Sequence, residues 1–212
     1  MTTIFASAVL GLLSLAKAPG CTIQHYLSPM NHSIATTDSA IINQMKPSEY
    51  NAAIMFYMEQ ARRGPSVVAI LSEGADEMSA FIQRIPDEKI DYAYASGKWT
   101  VGLLLQHIID EEKMMSYKAT QYAKGDTTNL WRYQEFFTPE REARQKSKTE
   151  LLYEFQQVRK NTIALFSEMS SEDALNMGSL SGNRVSVRGI GLVIAGHERH
   201  HHKVLQQRYH LD

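Results

Sequence analysis

From Tyr50 onward the apolar residues recur at spacings of three and four, the period of a helix with one buried face. Pro47-Ser48-Glu49 has the form of a helix start, followed by Tyr50, Ile54, Met55 and Met58, and Arg62-Arg63-Gly64-Pro65 interrupts this short first set. A second set carries Val67, Val68, Leu71, Met78, Phe81, Ile82 and Ile85, and Pro86 closes it. After a polar stretch, Thr100 is the expected N-cap of a helix running to about Lys124, where Gly125 and Asp126 stop it. Its stripe is Val101, Leu104, Leu105, Ile108 and Met115. A connection through Trp131 and Phe137 to Pro139 leads to a helix from about Lys148 to Met169, with Leu151, Phe155, Val158, Thr162, Leu165 and Met169 in step. Ser179 to Arg184 reads as a loop, and the last helix spans about Val187 to Tyr209. No alternating β-branched run is long enough to predict a strand. The pattern predicts an all-α chain, a bundle of four helices of roughly 20 residues with a short extra N-terminal helix.

Ahead of this pattern, residues 1–45 read as a weakly ordered tail and residues 46–212 as the bundle domain. The apolar run Ile4–Leu15 and Ala18-Pro19-Gly20-Cys21 have the look of an export or lipid-attachment signal. No lysine or arginine precedes the run, Lys17 follows it, and Pro19 suits a cleavage site badly. It is also shorter than the roughly 20 apolar residues a bilayer span needs. The expectation is therefore a cytoplasmic chain with no membrane partner, with export or lipid anchoring as the alternative; Met30 is another possible start.

Composition narrows the function by exclusion. With 22 Lys and Arg against 23 Asp and Glu, the chain lacks the basic excess that a nucleic-acid partner calls for. The nearest basic run, Arg141, Arg144, Lys146 and Lys148, is interleaved with Glu140 and Glu142 and reads as a solvated face. Cys21 is the single cysteine, so neither an intrachain disulfide nor a cysteine zinc site can be built. Neither a phosphate-binding glycine loop nor a nucleophile elbow occurs.

The last helix carries the chemistry. Its core-facing positions step through Val187, Ile190, Ile194, His197, His201, Val204 and Arg208, so two histidines stand where leucine or isoleucine is expected. Four apart, they project from one face about one turn from each other, a spacing that can grip one ion. Core histidines satisfied by neighbouring side chains are the plainer alternative, which two on one seam make weaker than one would. His200 is a rival to His201 but points further from His197, and His202 is expected in solvent. Two ligands rarely hold an ion tightly. His25 and His32 lie in the tail and the others share the last helix, so His107 is the imidazole left to complete a site, with a carboxylate as the alternative third ligand.

Ser96-Gly97-Lys98-Trp99-Thr100-Val101, Leu105-Gln106-His107-Ile108-Ile109-Asp110 and Ala195-Gly196-His197-Glu198-Arg199-His200-His201 together resemble the DinB/YfiT-like family. Tyr122-Ala123-Lys124-Gly125-Asp126 and Asn183-Arg184-Val185-Ser186-Val187-Arg188 extend the resemblance over about residues 47–211. It implies a four-helix bundle of the DinB/YfiT type, a divalent metal on His107, His197 and His201, and a homodimer. It also implies, for some members, transfer of low-molecular-weight thiols such as bacillithiol, mycothiol or glutathione. The chain departs from the pattern at Leu103, where a capping glutamate is usual, and at Arg199, where an apolar residue is common.

Three imidazoles leave a coordination position free, as in catalytic sites, and all-nitrogen ligation suits Zn²⁺ or Ni²⁺ better than Mg²⁺ or Ca²⁺. Asp110, Glu111 and Glu198 are the nearby candidates for a general base, though each also fits a solvated helix position. Trp99 and Tyr122 are candidates to line a pocket for a small-molecule substrate, with core packing the plainer role. The expectation is a metal-dependent thiol S-transferase, with a metal-dependent hydrolase or a non-catalytic metal-binding bundle as alternatives.

Overall fold

Four serine or threonine hydroxyls set where the long helices begin. In the computed structural model, which describes residues 40–127 and 146–212, Ser66 accepts from the backbone N–H of Ala69 and starts α2 (Val67–Arg84). Thr100 does the same through Leu103 for α3 (Val101–Ala123). Ser147, in a reciprocal pair with Glu150, starts α4 (Lys148–Glu168), and Ser186 starts α5 (Val187–Tyr209) through Gly189. Each satisfies an N–H that has no partner inside its helix. These ends agree with the sequence pattern.

The short first helix begins later than expected. Pro47–Glu49 forms a single 3₁₀ turn, and α1 (Ala52–Gln60) is capped by Asn51, whose side chain accepts from Ile54. Glu49 is instead buried, accepting hydrogen bonds from Ser186 (2.9 Å) and Arg188 Nε (2.7 Å) and so tying the entry of the domain to the start of α5. Most of the expected tail lies outside the described residues, as do Cys21 and the connection through Trp131, Phe137 and Pro139. Of its described part, Ala40 and Met45 are buried, and the Ile41 amide donates to the carbonyl of Gly64.

The loop expected at Ser179–Arg184 is a hairpin: β1 (Met177–Leu180) pairs antiparallel with β2 (Asn183–Ser186), Met177 opposite Ser186. Ser181 (φ 50°) and Gly182 (φ 82°) make a two-residue turn with both φ positive, the twist that hairpins favour. Tyr122 lies over Gly178 and donates its hydroxyl to the carbonyl of Ser179, so its role is structural.

Packing runs around the bundle in the order α2, α4, α3, α5 and back to α2, with α1 laid along α5. Consequently α5 meets α1, α2 and α3, and from Gly189 to Glu198 it is buried on every side. Two apolar clusters fill the interior. One gathers Val67, Leu71, Met115, Phe166 and Ile190; the other gathers Met78, Phe81, Leu105, Phe155 and Leu205. Among the described residues no helix is long and apolar enough to cross a membrane.

Candidate metal centre

α3 and α5 lie side by side, and their facing sides bring His107, His197 and His201 together. One ring nitrogen from each falls within 4.8 Å of the other two. Nε2 of His107 and Nε2 of His197 are 3.2 Å apart, and the three ring centroids are separated by 4.5 to 5.0 Å. A tetrahedral ion with bonds of about 2.0–2.1 Å spaces its ligand nitrogens by roughly 3.3 Å, a separation that the His107–His197 pair matches.

Their protonation state also fits. Burial drives His197 well below the usual imidazole range, and His201, His107 and His200 add to the effect. Burial likewise lowers His201, to about 3, and lowers His107 against the opposing pull of Asp110. Neutral imidazoles are what a metal requires. Among the described residues, buried Nδ1 of His201 has no hydrogen-bond partner, which an ordinary packed histidine would have.

Aromatic rings flank the trio. Trp99 packs on His107 at 4.9 Å, Tyr57 on His197 at 5.5 Å, and His200 on His201 at 5.0 Å with Phe56 behind it. Trp99 and Phe56 remain 39% and 50% exposed, so these rings form a rim open to solvent rather than core. The hydroxyl of Tyr209 donates to the carbonyl of Trp99 and holds that rim in place. On the other side, Gly196 admits α1: a Cβ there would stand 1.7 Å from the carbonyl oxygen of Tyr57. The sequence reading missed Tyr57 and Phe56; the one available signal was a glycine directly before His197.

The three carboxylates singled out from sequence have different fates. Asp110 accepts from Gln106 (3.0 Å) and Lys113 (3.3 Å) along its own helix and reaches His107 only through its charge. Glu111, one turn past His107 and partly buried, is pushed above the usual carboxylate range by burial, with Lys118 opposing. Its charge in turn raises Tyr57, whose shift is otherwise due to burial. Glu198 points into the bundle, where Arg159 donates to it at 2.8 Å and Arg62 stands 3.7 Å away. His202, expected in solvent, is buried against Phe81 at 4.3 Å with Nδ1 3.6 Å from Glu77. Phe81 and Glu77 of α2 cover the side of α5 that carries His202.

A helical bundle whose facing helices converge three neutral imidazoles beside an open aromatic rim defines a class of candidate metal-centre bundles. The chain belongs to the DinB superfamily, whose family model matches residues 70–205. Its fold is similar to that of YfiT from Bacillus subtilis, described as a probable metal-dependent hydrolase with an unusual four-helix bundle topology. The TM-score is 0.53 at 15% identity, over 84% of this chain and 100% of that one. A DinB-like protein of Bacillus subtilis, YjoA, aligns with TM-score 0.48 and 16% identity over 66% of this chain and 86% of that one. No curated protein sequence matches the chain.

Proposed function

We propose that this protein is a divalent-metal-dependent enzyme whose ion, Zn²⁺ or Ni²⁺, is held by His107, His197 and His201. The observation that carries the reading is the convergence of three ring nitrogens within 4.8 Å on imidazoles that burial keeps neutral. Three protein ligands leave room for a water or a thiol, and a bound divalent ion lowers the pKa of whichever joins it. The chain's own groups then supply the rest. Tyr57 and Trp99 pack on His197 and His107 and hold those rings in place. Glu111, one turn from His107 and raised by burial, is the group suited to take up a proton beside the site and return it.

Transfer of a low-molecular-weight thiol to an electrophile is the reaction that the DinB/YfiT resemblance suggests, and a homodimer is the expected assembly. Hydrolysis is a second reading, favoured by Glu111 as a base for water and by the description of YfiT.

Metal content of the purified protein tests the site. Wild type and His200→Ala should carry close to one ion per chain, whereas His107→Ala, His197→Ala and His201→Ala should each lose it. Retention of metal by all three variants would overturn the ligand assignment. A panel of cellular thiols with an electrophile, and of esters and amides, then separates the reactions. Thiol consumption faster than with His197→Ala supports transfer, and acid release supports hydrolysis. Silence in both would reduce the protein to a metal-binding bundle.

A further inference from the structure

The two apolar clusters of the bundle are separated by a layer to which each of its four helices contributes one residue. Gly74 of α2 lies between Leu71 and Met78, Glu112 of α3 between Ile109 and Met115, Arg159 of α4 between Phe155 and Phe166, and Glu198 of α5 between Ala195 and Leu205. Arg159 is 1% exposed and stands at its centre. Nε and one terminal nitrogen donate to the two oxygens of Glu112, both at 2.8 Å. The other terminal nitrogen donates to Glu198 at 2.8 Å and to the carbonyl of Leu71 at 3.2 Å. Gly74 makes the space, since a Cβ there would lie 2.7 Å from Glu198 and 3.0 Å from Arg159.

The two carboxylates that Arg159 joins sit on the two helices that carry the histidines. Glu112 follows His107 on α3, and Glu198 is the residue next to His197 on α5. We propose that Arg159 is a positioning residue for the metal centre, fixing the rotation and register of α5 against α3 through Glu112 and Glu198. The inference rests on the three-histidine reading for its metal arm alone.

Magnitudes support a positioning role over a merely stabilising one. A buried ion pair is commonly no more stabilising than apolar residues of the same volume, because desolvation offsets the attraction. What it does provide is register: sliding either helix by a turn would drive a carboxylate into leucine and phenylalanine layers. Rotation is restrained as well. An imidazole nitrogen lies roughly 6 Å from its helix axis, so a turn of 10° moves it by about 1 Å. A metal or catalytic site tolerates about 0.5 Å.

Two variants separate positioning from stability. Arg159→Lys keeps the charge and loses the planar fork. The triple replacement of Glu112, Arg159 and Glu198 by methionine removes the hydrogen-bonded triad and keeps the volume, leaving Arg62 paired with Glu77. Circular dichroism and melting report the fold. Nuclear Overhauser contacts between the His107 and His197 rings in metal-free protein report their approach, and Co²⁺ titration with its visible spectrum reports the site. The expected result is a folded protein with weakened ring contacts, an altered Co²⁺ spectrum and affinity at least about tenfold lower. Wild-type ring contacts, spectrum and affinity in either folded variant would overturn the assignment, as would loss of the fold in both. If wild type itself binds no Co²⁺, the metal reading fails, and the ring contacts alone decide the role of Arg159.

Discussion

Replacing Gly196 by alanine sets two physical effects against each other. Alanine is about 1 kcal/mol more favourable than glycine inside a helix, and Gly196 lies well within α5, so propensity alone predicts stabilisation. Packing predicts the reverse. The new Cβ would stand 1.7 Å from the carbonyl oxygen of Tyr57, 2.6 Å from its carbonyl carbon and 3.2 Å from the amide nitrogen of Ala61. Carbon–oxygen contacts settle near 3.3–3.6 Å, so α1 must retreat by about 1.5 Å or more. The obstacle is helix backbone, which cannot rotate away as a side chain would.

Overpacking of this kind costs about 1–3 kcal/mol, and more where backbone moves. Retreat of α1 also loosens Ile54 and Met58, both buried, each worth about 1.5–3 kcal/mol when fully packed. Partial loss of these contacts against the propensity gain leaves a net destabilisation of about 2 kcal/mol. For a chain of this size that lowers Tm by about 4–8 °C. Because Tyr57 packs on His197, bound metal should weaken as well. Thermal melting of the metal-free protein is the assay. An unchanged or raised Tm would show that α1 does not dock on Gly196 as described.

Acidification should destabilise the metal-free protein in two windows. The hydrogen bond from Arg188 holds Glu49 at about 2 against an ordinary 4.5, so the unfolded chain binds more protons between those values and up to about 3 kcal/mol is lost as pH falls through them. Burial holds His201 at about 3 against 6.5, which again makes the unfolded chain the better proton binder and lowers stability as pH falls through that range. Urea unfolding from pH 7 to 2.5 should show a flatter profile for Glu49→Gln and for His201→Ala, each in its own window; parallel profiles would refute the coupling. Ser186→Ala removes the cap of α5 and a donor to buried Glu49, so about 1–2 kcal/mol should go, and a loss under 0.5 kcal/mol would deny the cap its role. Glu111→Gln should keep its metal while kcat/KM falls about a hundredfold or more, and undiminished turnover would remove Glu111 from proton transfer.

Helix ends were legible because capping is local: a hydroxyl before an apolar run and Pro86 or Gly125 after it act through neighbouring residues alone. Faces were legible only where a helix has one buried side. On α5 the expected stripe ended on Val204 and Arg208, yet Leu205 and Tyr209 are the buried pair and Arg208 is exposed. The same enclosure hid the burial of His202. The hairpin escaped because its strands are four residues each and include Gly178, Asn183 and Arg184, which carry little strand preference. The histidine trio was accessible because histidine is rare on an apolar seam and a bundle offers few ways to complete a set.

The polar layer shows where such reasoning stops. Arg159 is four residues after Phe155 and three before Thr162, so it occupies a stripe position as fully as Leu151 does, and Glu112 fits equally well between Ile108 and Met115. A charged residue on a stripe looks like an error in the pattern when each helix is read alone. It becomes intelligible only when the opposite charge arrives from another helix and a glycine from a third makes room. The same holds for Gly196, which helix propensity marks as a weak point and which the approach of α1 requires. Pairwise complementarity between distant segments therefore carries the information that positions the histidines, and no period within one segment contains it.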